Sequence, residues 1–417
     1  MEVVMWDTIV DRMLQRLVQD GELAVEWPDG RVTEYGQPEE FSAHVKITDA
    51  SILRELCLSP VLALGEGYMD GRIEVAPDKL YDFVAMLVRN RERYKAMPGW
   101  VNAMQSFRNR IKHLWLKNTP VTARRNVAHH YDISDDLYRL FLDRDMQYSC
   151  AYFARPDMTL EEAQEAKKQH IAKKLMIEPG MRVLDIGCGW GGMALTLAKD
   201  YGAHVTGVTL SSNQKRTATE RAEAAGLSDK TEFRLQDYRD VTETFDRIVS
   251  VGMLEHVGPP QFPVYFDKVA ELLAPDGISL IHTIGNTCPP GPTSPWIMKY
   301  IFPGGYVPSL SDLAAPMENS GLWTTDIEIL RGHYGPTLHH WRDRFEANVD
   351  KVRAMYDDRF VRMFRFYLVA CETAFEEQRQ GVFQLQMTRK QYAVPRTRNY
   401  LYRADESRQA AWPQAAQ

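Results

Sequence analysis

Residues 181–202 read "MRVLDIGCGWGGMALTLAKDYG", an apolar run that breaks into Gly187, Gly189, Gly191 and Gly192 within six positions. Glycines this closely spaced mark a backbone that must turn sharply or let something approach it. Around this unit the chain alternates. Thr159 and Glu162 form a capping box that predicts a helix to about Ile177. Strands are expected at "RVLDIG" (182–187), "HVTGVTL" (204–210), "TEFRLQD" (231–237), "FDRIVSVG" (245–252) and "ISLIHTIG" (278–285), with helices such as "VYFDKVAELL" (264–273) between them. From about residue 123 this pattern predicts an α/β fold, a parallel sheet with helices on both faces. The glycine turn would follow the first strand, at the sheet end where such folds bind ligands.

Upstream, residues 1–90 combine a helix (Trp6 to Val18), a strand–turn–strand "LAVEWPDGRVTEY" (23–35) turning at Pro28-Asp29-Gly30, and further short elements. They read as a small N-terminal α+β domain for lipid binding or dimerisation, without a catalytic cluster. Residues 91–122 read as a connector and 123–405 as the catalytic domain. A chain of 417 residues suits two domains, and 44% hydrophobic content is ordinary for a globular protein. No apolar stretch approaches the roughly 20 residues of a spanning helix. Glu2, Asp7 and Asp11 precede any apolar segment and speak against a signal peptide. Five scattered cysteines, in neither disulfide nor metal-ligand spacing, point to reduced thiols in a cytoplasm. A net charge of −6 gives no reason to expect nucleic acid.

That average conceals residues 89–125, with ten Lys and Arg against Glu92 alone, so the segment is near +9 and the rest near −15. Trp100, Met104, Phe107, Ile111, Leu114 and Trp115 recur at helical spacing on one face, and Arg108, Arg110, Lys112 and Lys117 take the other. A basic amphipathic helix with tryptophans is suited to an anionic membrane surface. The competing reading is an inter-domain helix that packs its apolar stripe on its own protein.

Gly187-x-Gly189-x-x-Gly192 matches a dinucleotide fingerprint, but two features oppose NAD. Asp185 would bring negative charge close to a pyrophosphate, and the second strand ends in "GVTLS" with no acid to hold a ribose diol. The stretch suits a nucleoside without phosphates that carries a cation, as the sulfonium of S-adenosylmethionine does. Glycines serving only helix–strand contact do not readily account for four of them plus the acid.

The motifs "MQYSCAYF" (146–153), "VLDIGCGWGG" (183–192), "GVTLSSNQ" (207–214), "LQDYRD" (235–240), "VGMLEHVG" (251–258) and "IHTIG" (281–285) occur in order. Together they resemble those of bacterial cyclopropane-fatty-acyl-phospholipid synthases, from about residue 123 to 400. The resemblance implies a Rossmann-like class I methyltransferase domain using S-adenosylmethionine, acting on unsaturated acyl chains of membrane phospholipids. It also implies a homodimer, peripherally attached to the inner face of the cytoplasmic membrane. It places Tyr148 and Ser149 near the methionine end of the cofactor, and Gly187, Gly189 and Gly191 beneath the nucleoside, with Val183 and Asp185 in the same motif. Thr209, Ser211 and Gln214 would replace the missing acid at the ribose, and Asp237, with Gln236 beside it, would take the adenine amine. His129, His130, Tyr131 and Asp132 look like the family's entry to the pocket.

A plain alkene is a poor nucleophile, so it requires a donor as strong as a sulfonium, and methyl transfer leaves a carbocation. The site must stabilise that cation, exclude water and remove a proton from the new methyl group. In the family a bicarbonate ion is the inferred base, and its cradle maps onto Cys150, Glu255, His282, the backbone of Ile284, and Tyr334. Each has a plainer reading: Cys150 as a small buried hydrophobe, His282 as a core histidine, Glu255 as a helix cap, Tyr334 as one of nineteen tyrosines. Cys371 resembles a family cysteine regarded as an active thiol, although its spacing with Phe364, Leu368 and Phe375 reads as core. The alternatives are a fatty-acyl C-methyltransferase of the same fold giving methyl-branched unsaturated chains, a lipid carrier with a vestigial cofactor fold, and a small-molecule methyltransferase.

Overall fold

A computed structural model describes residues 2–94 and 134–402. Most of the basic stretch, with its tryptophans, and the His129–Asp132 motif lie outside the described residues. The described chain forms two compact units: residues 2–94, 292–303 and 338–380, and residues 134–291, 304–337 and 381–402. The units interleave along the chain, whereas the sequence suggested consecutive stretches.

The first unit begins with α1 (Glu2–Leu17), then β1 (Asp20–Glu26) and β2 (Val32–Ile47), joined by the expected turn and paired with Leu23 opposite Tyr35. β3 (Ile73–Val75) completes its sheet, and α2 (Ser51–Leu58), α3 (Pro60–Met69) and α4 (Leu80–Tyr94) pack around it. Two later segments join these elements, α10 (Pro295–Tyr300) and α14 (Asp358–Glu376). The Trp296 indole lies edge-on to Phe366 at 4.8 Å and donates to Met69 Sδ at 3.2 Å. Gly65 makes room for it, since a Cβ there would stand 2.3 Å from the indole ring.

The second unit contains a seven-stranded sheet in the order β6-β5-β4-β7-β8-β10-β9. Its strands are β4 (Arg182–Ile186), β5 (His204–Thr209), β6 (Thr231–Leu235), β7 (Phe245–Val251), β8 (Leu273–Asn286), β9 (Trp323–Leu330) and β10 (Gln380–Thr388). β4 to β8 are parallel, with Ile186 level with both Val208 and Ser250, and Val251 level with His282. Alternate residues enter two cores, as period-2 side chains must. Leu184, Ile186, Val208, Ile248 and Ile281 pack with α9 (Phe262–Leu272). Val183, Val205, Val249, Ile278 and Leu280 pack with α6 (Leu160–Leu175) and α7 (Gly192–Tyr201). The capping box at the start of α6 is present, with Thr159 and Glu162 bonded reciprocally. β9 and β10 form an antiparallel pair absent from the sequence reading. Among the described residues no helix is long and apolar enough to cross a membrane, and no cluster of His, Cys, Asp and Glu could hold a metal ion.

Candidate active site

The glycine turn links β4 to α7. Gly189 has φ +55° and open space where a Cβ would project, so the backbone there is bare. Gly192 is fixed by packing instead: a Cβ would stand 2.2 Å from Gln147 Nε2 and 2.5 Å from Asp145 Oδ2. The segment carrying "MQYSC" is thereby laid directly on the turn. Asp185, level with Gly207 of β5 and Val249 of β7, is buried, and its Oδ2 has no hydrogen-bond partner among the described residues. Burial pushes its pKa up to about 7. A buried carboxyl in this state is costly unless a ligand supplies a cation or a donor, and a sulfonium-bearing nucleoside offers both.

The other expected cofactor residues fall into three groups. At the end of β5, Thr209 donates to Gln214 Oε1 at 2.8 Å, and Ser211 caps α8 (Ser212–Ala224) by accepting the Gln214 N–H at 3.2 Å. This is a polar corner at the end of β5, the strand next to the one that carries Asp185. Asp237 is buried with its carboxylate already gripped by Arg239, at 2.9 Å to Nε and 2.6 Å to a terminal nitrogen, while the Gln236 amide turns to Asp240 O at 3.0 Å. An adenine amine would have to share Asp237 with that guanidinium. Val183 is completely buried in the core and turns no surface to a ligand.

The proposed anion cradle is assembled by β7, β8 and β10. Glu255 follows β7 in a single 3-10 turn, and its Oε1 accepts the Ile284 N–H at 2.5 Å. Its Oε2 is buried without a hydrogen-bond partner among the described residues, and burial pushes its pKa up to about 7. His282 lies two residues before Ile284 on β8. Gln384 of β10 donates to His282 Nδ1 at 3.2 Å, which leaves the ring proton on Nε2, itself buried and unpartnered. Burial and the cationic Lys167 and Lys174 lower the pKa of His282, keeping the ring neutral. Cys150 is buried against Leu330 of β9 and Val382 of β10, with Tyr334 packed on the same cluster. Tyr334 opens α12 (Tyr334–Ala347), whose start is tied to the Cys150 segment: Thr337 Oγ1 accepts the Ala151 N–H and His333 Nδ1 accepts the Phe153 N–H, each at 3.1 Å. Burial holds the Cys150 thiol far above its ordinary pKa, so it is not a nucleophile. Cys371, on α14, belongs to the first unit, is half-buried, and is pushed up to about 12 by burial.

One set of residues escaped the sequence reading. α6 presents Gln164, Lys167 and Lys168 to the 145–149 segment. Gln164 Nε2 donates to Ser149 O at 2.9 Å, and Lys167 Nζ donates to Gln147 Oε1 and Ser149 Oγ, both at 2.8 Å. Lys168 Nζ pairs with Asp145 at 2.8 Å. The available signal was spacing: Leu160, Ala163, Ile171 and Leu175 define the inward face of α6, and Gln164 and Lys167 fall on it.

The family model described as "Mycolic acid cyclopropane synthetase" matches residues 118–385, and a domain of unknown function (DUF7884) matches residues 9–96. Cyclopropane-fatty-acyl-phospholipid synthase of Escherichia coli (strain K12) is 40% identical over 333 residues, covering 80% of this chain and 84% of that protein. Tuberculostearic acid methyltransferase UfaA1 of Mycobacterium tuberculosis (strain ATCC 25618 / H37Rv) is 34% identical over 399 residues, 92% of this chain and 91% of that one. Among solved structures, the mycolic acid cyclopropane synthase CmaA1 complexed with SAH and CTAB superposes with a TM-score of 0.60 at 35% identity, over 63% of this chain and 97% of that one.

Proposed function

The chain belongs to the mycolic acid cyclopropane synthetase family, and we propose that its reaction takes place at one site, with S-adenosylmethionine on the glycine turn and bicarbonate among Cys150, Glu255, His282, Ile284 and Tyr334. The enzyme is an S-adenosylmethionine-dependent methyltransferase, and the transformation is cyclopropanation of unsaturated acyl chains of lipids. The alkene takes the methyl group, S-adenosylhomocysteine leaves, and the second alkene carbon becomes cationic. Loss of a proton from the new methyl group lets its electron pair close the ring.

The observation that supports the cradle is the pair of buried, partnerless atoms Glu255 Oε2 and His282 Nε2. Buried polar atoms are almost always satisfied, so two orphans, one on His282 of β8 and one on the Glu255 carboxyl held by the Ile284 N–H of the same strand, suggest a ligand that both accepts and donates. Bicarbonate does both, and when bound it supplies a base for the departing proton. Glu255, ionised, places negative charge near the developing cation, and the neutral His282 donates from Nε2. The Ile284 N–H fixes the Glu255 carboxylate, while Cys150, Leu330 and Val382 make an apolar wall that keeps out water.

The substrate is taken to be membrane phospholipid, approached from the inner face of the cytoplasmic membrane through the basic 89–125 segment and by a homodimer. The phospholipid named in the Escherichia coli relative and the charge of that segment support this reading. A second reading, methyl transfer without ring closure, is favoured by the extent of the match to a relative named a methyltransferase.

Vesicles of cis-unsaturated phospholipid, incubated with enzyme and S-adenosylmethionine, should yield the ring-methylene signal by proton NMR. Glu255→Gln should cut turnover by about 100-fold or more, the scale of removing one preorganised electrostatic group, while S-adenosylhomocysteine still raises the melting temperature as in the wild type. Turnover within threefold of wild type would remove Glu255 from the site.

A further inference from the structure

Lys167 stands out as a buried cation that the reaction chemistry above does not use. Its side chain is completely buried on α6, and both of its hydrogen bonds go to neutral acceptors, Gln147 Oε1 and Ser149 Oγ. Its neighbours differ: Lys168 is paired with Asp145 and Glu165, and Lys174 with Asp326 and Glu328. Asp143 lies within electrostatic reach of Lys167, but its oxygens accept the backbone N–H groups of Asp145 and Gln147. A buried ammonium with no carboxylate against it is expensive, and a bound anion offsets that cost.

The charge lies at the Cys150 end of the cradle, since Lys167 Nζ stands 2.8 Å from the Oγ of Ser149, the residue before Cys150, and it acts electrostatically on both Cys150 and His282. The cradle otherwise has a deficit of positive charge: Glu255, once ionised, repels an incoming anion, and His282 is held neutral. We propose that Lys167 is a positioning residue that recruits the anion: its ammonium supplies the positive charge that Glu255 and the neutral His282 do not, while its bonds to Gln147 and Ser149 hold the segment ending in Cys150. This rests on the bicarbonate reading above, which it deepens.

The ionisable groups facing Lys167 are Asp143 and Asp145 on the preceding segment, Cys150, Lys168 on its own helix, and His282 on β8. Burial dominates among them and lowers its pKa to about 8. The charge is therefore present at neutral pH and lost as pH rises through about 8.

Bicarbonate is the probe. Turnover of wild type, Lys167→Met and Ser149→Ala is measured in bicarbonate-depleted buffer with bicarbonate added back, at pH 7.0 and pH 8.5. Lys167→Met should raise half-saturating bicarbonate by at least about tenfold, as expected for deleting a unit charge a few ångströms away. Ser149→Ala, which loosens the grip and keeps the charge, should raise it by less than about threefold. The rise in half-saturation between the two pH values should be larger in wild type than in Lys167→Met. S-adenosylhomocysteine thermal shifts report whether each variant is folded, and Lys167→Gln replaces Lys167→Met if the latter is not. Lost turnover with wild-type bicarbonate half-saturation in the lysine variant would make Lys167 purely structural and overturn the proposal. Indifference of the wild type to bicarbonate would overturn the anion reading of the site, and Lys167's role with it.

Discussion

Asp185 is one of two buried carboxyls, with Glu255, whose burial is a cost of the site. Its pKa, raised to about 7 in the folded protein, means that the folded state holds a proton the unfolded chain gives up near pH 4. The contribution of Asp185 to stability therefore falls as pH rises from about 4 to 7 and is flat above. Asp185→Asn should stabilise the ligand-free protein by up to about 4 kcal/mol at pH 8, with the gain shrinking toward pH 5. The same substitution should reduce the thermal shift given by S-adenosylhomocysteine. Urea unfolding at both pH values checks it; a pH-independent gain with an unchanged ligand shift would mean that Asp185 does not face the cofactor. Asp185, Glu255, His282 and Cys150 were legible because each sits in a short motif at a strand end or turn. Lys167 was not, since "EAKKQH" reads as the solvated face of a helix until the packing of α6 is known. Val183 illustrates the reverse error: it shares the motif with Asp185, but two residues along a strand keep it on the same face and move it away from the strand's end, into the core.

Among the elements, those with local signals were readable. The capping box set the start of α6, Pro28-Asp29-Gly30 set the β1–β2 turn, and the apolar runs of β4, β5, β7 and β8 marked the parallel sheet. β9 and β10 gave no such signal. β10 is buried along nearly its whole length, so it lacks alternation, and its glutamines sit inside the protein. β9 is an edge strand whose outward side exposes Ile327 and Ile329, so its pattern is that of neither a core nor a surface strand. Yet this pair supports the proposed cradle, because Gln384 bonds His282 and Val382 and Leu330 pack on Cys150. The membership of residues 292–303 and 338–380 in the first unit was equally hidden, since it is made by long-range contacts such as Trp296 over Gly65 and Arg89 on Glu377.

Across the whole molecule, charge is divided between a segment near +9 and a remainder near −15. If residues 89–125 serve the membrane, each basic residue close to an anionic surface contributes about 1 kcal/mol before screening. Co-sedimentation with vesicles should rise with anionic lipid, fall with ionic strength, and weaken when Arg108, Arg110 and Lys112 are reversed to Glu; binding insensitive to salt and to the reversal would leave the segment a connector only. Ring closure by removal of a proton from the transferred methyl group is tested by its isotopes. Wild-type enzyme is given S-adenosylmethionine with a fully deuterated methyl group and vesicles of cis-unsaturated phospholipid, and deuterium retained in the product is measured by mass spectrometry. Removal of that proton leaves two deuteriums, in a cyclopropane. Three deuteriums, in a methyl-branched alkene, would contradict the account.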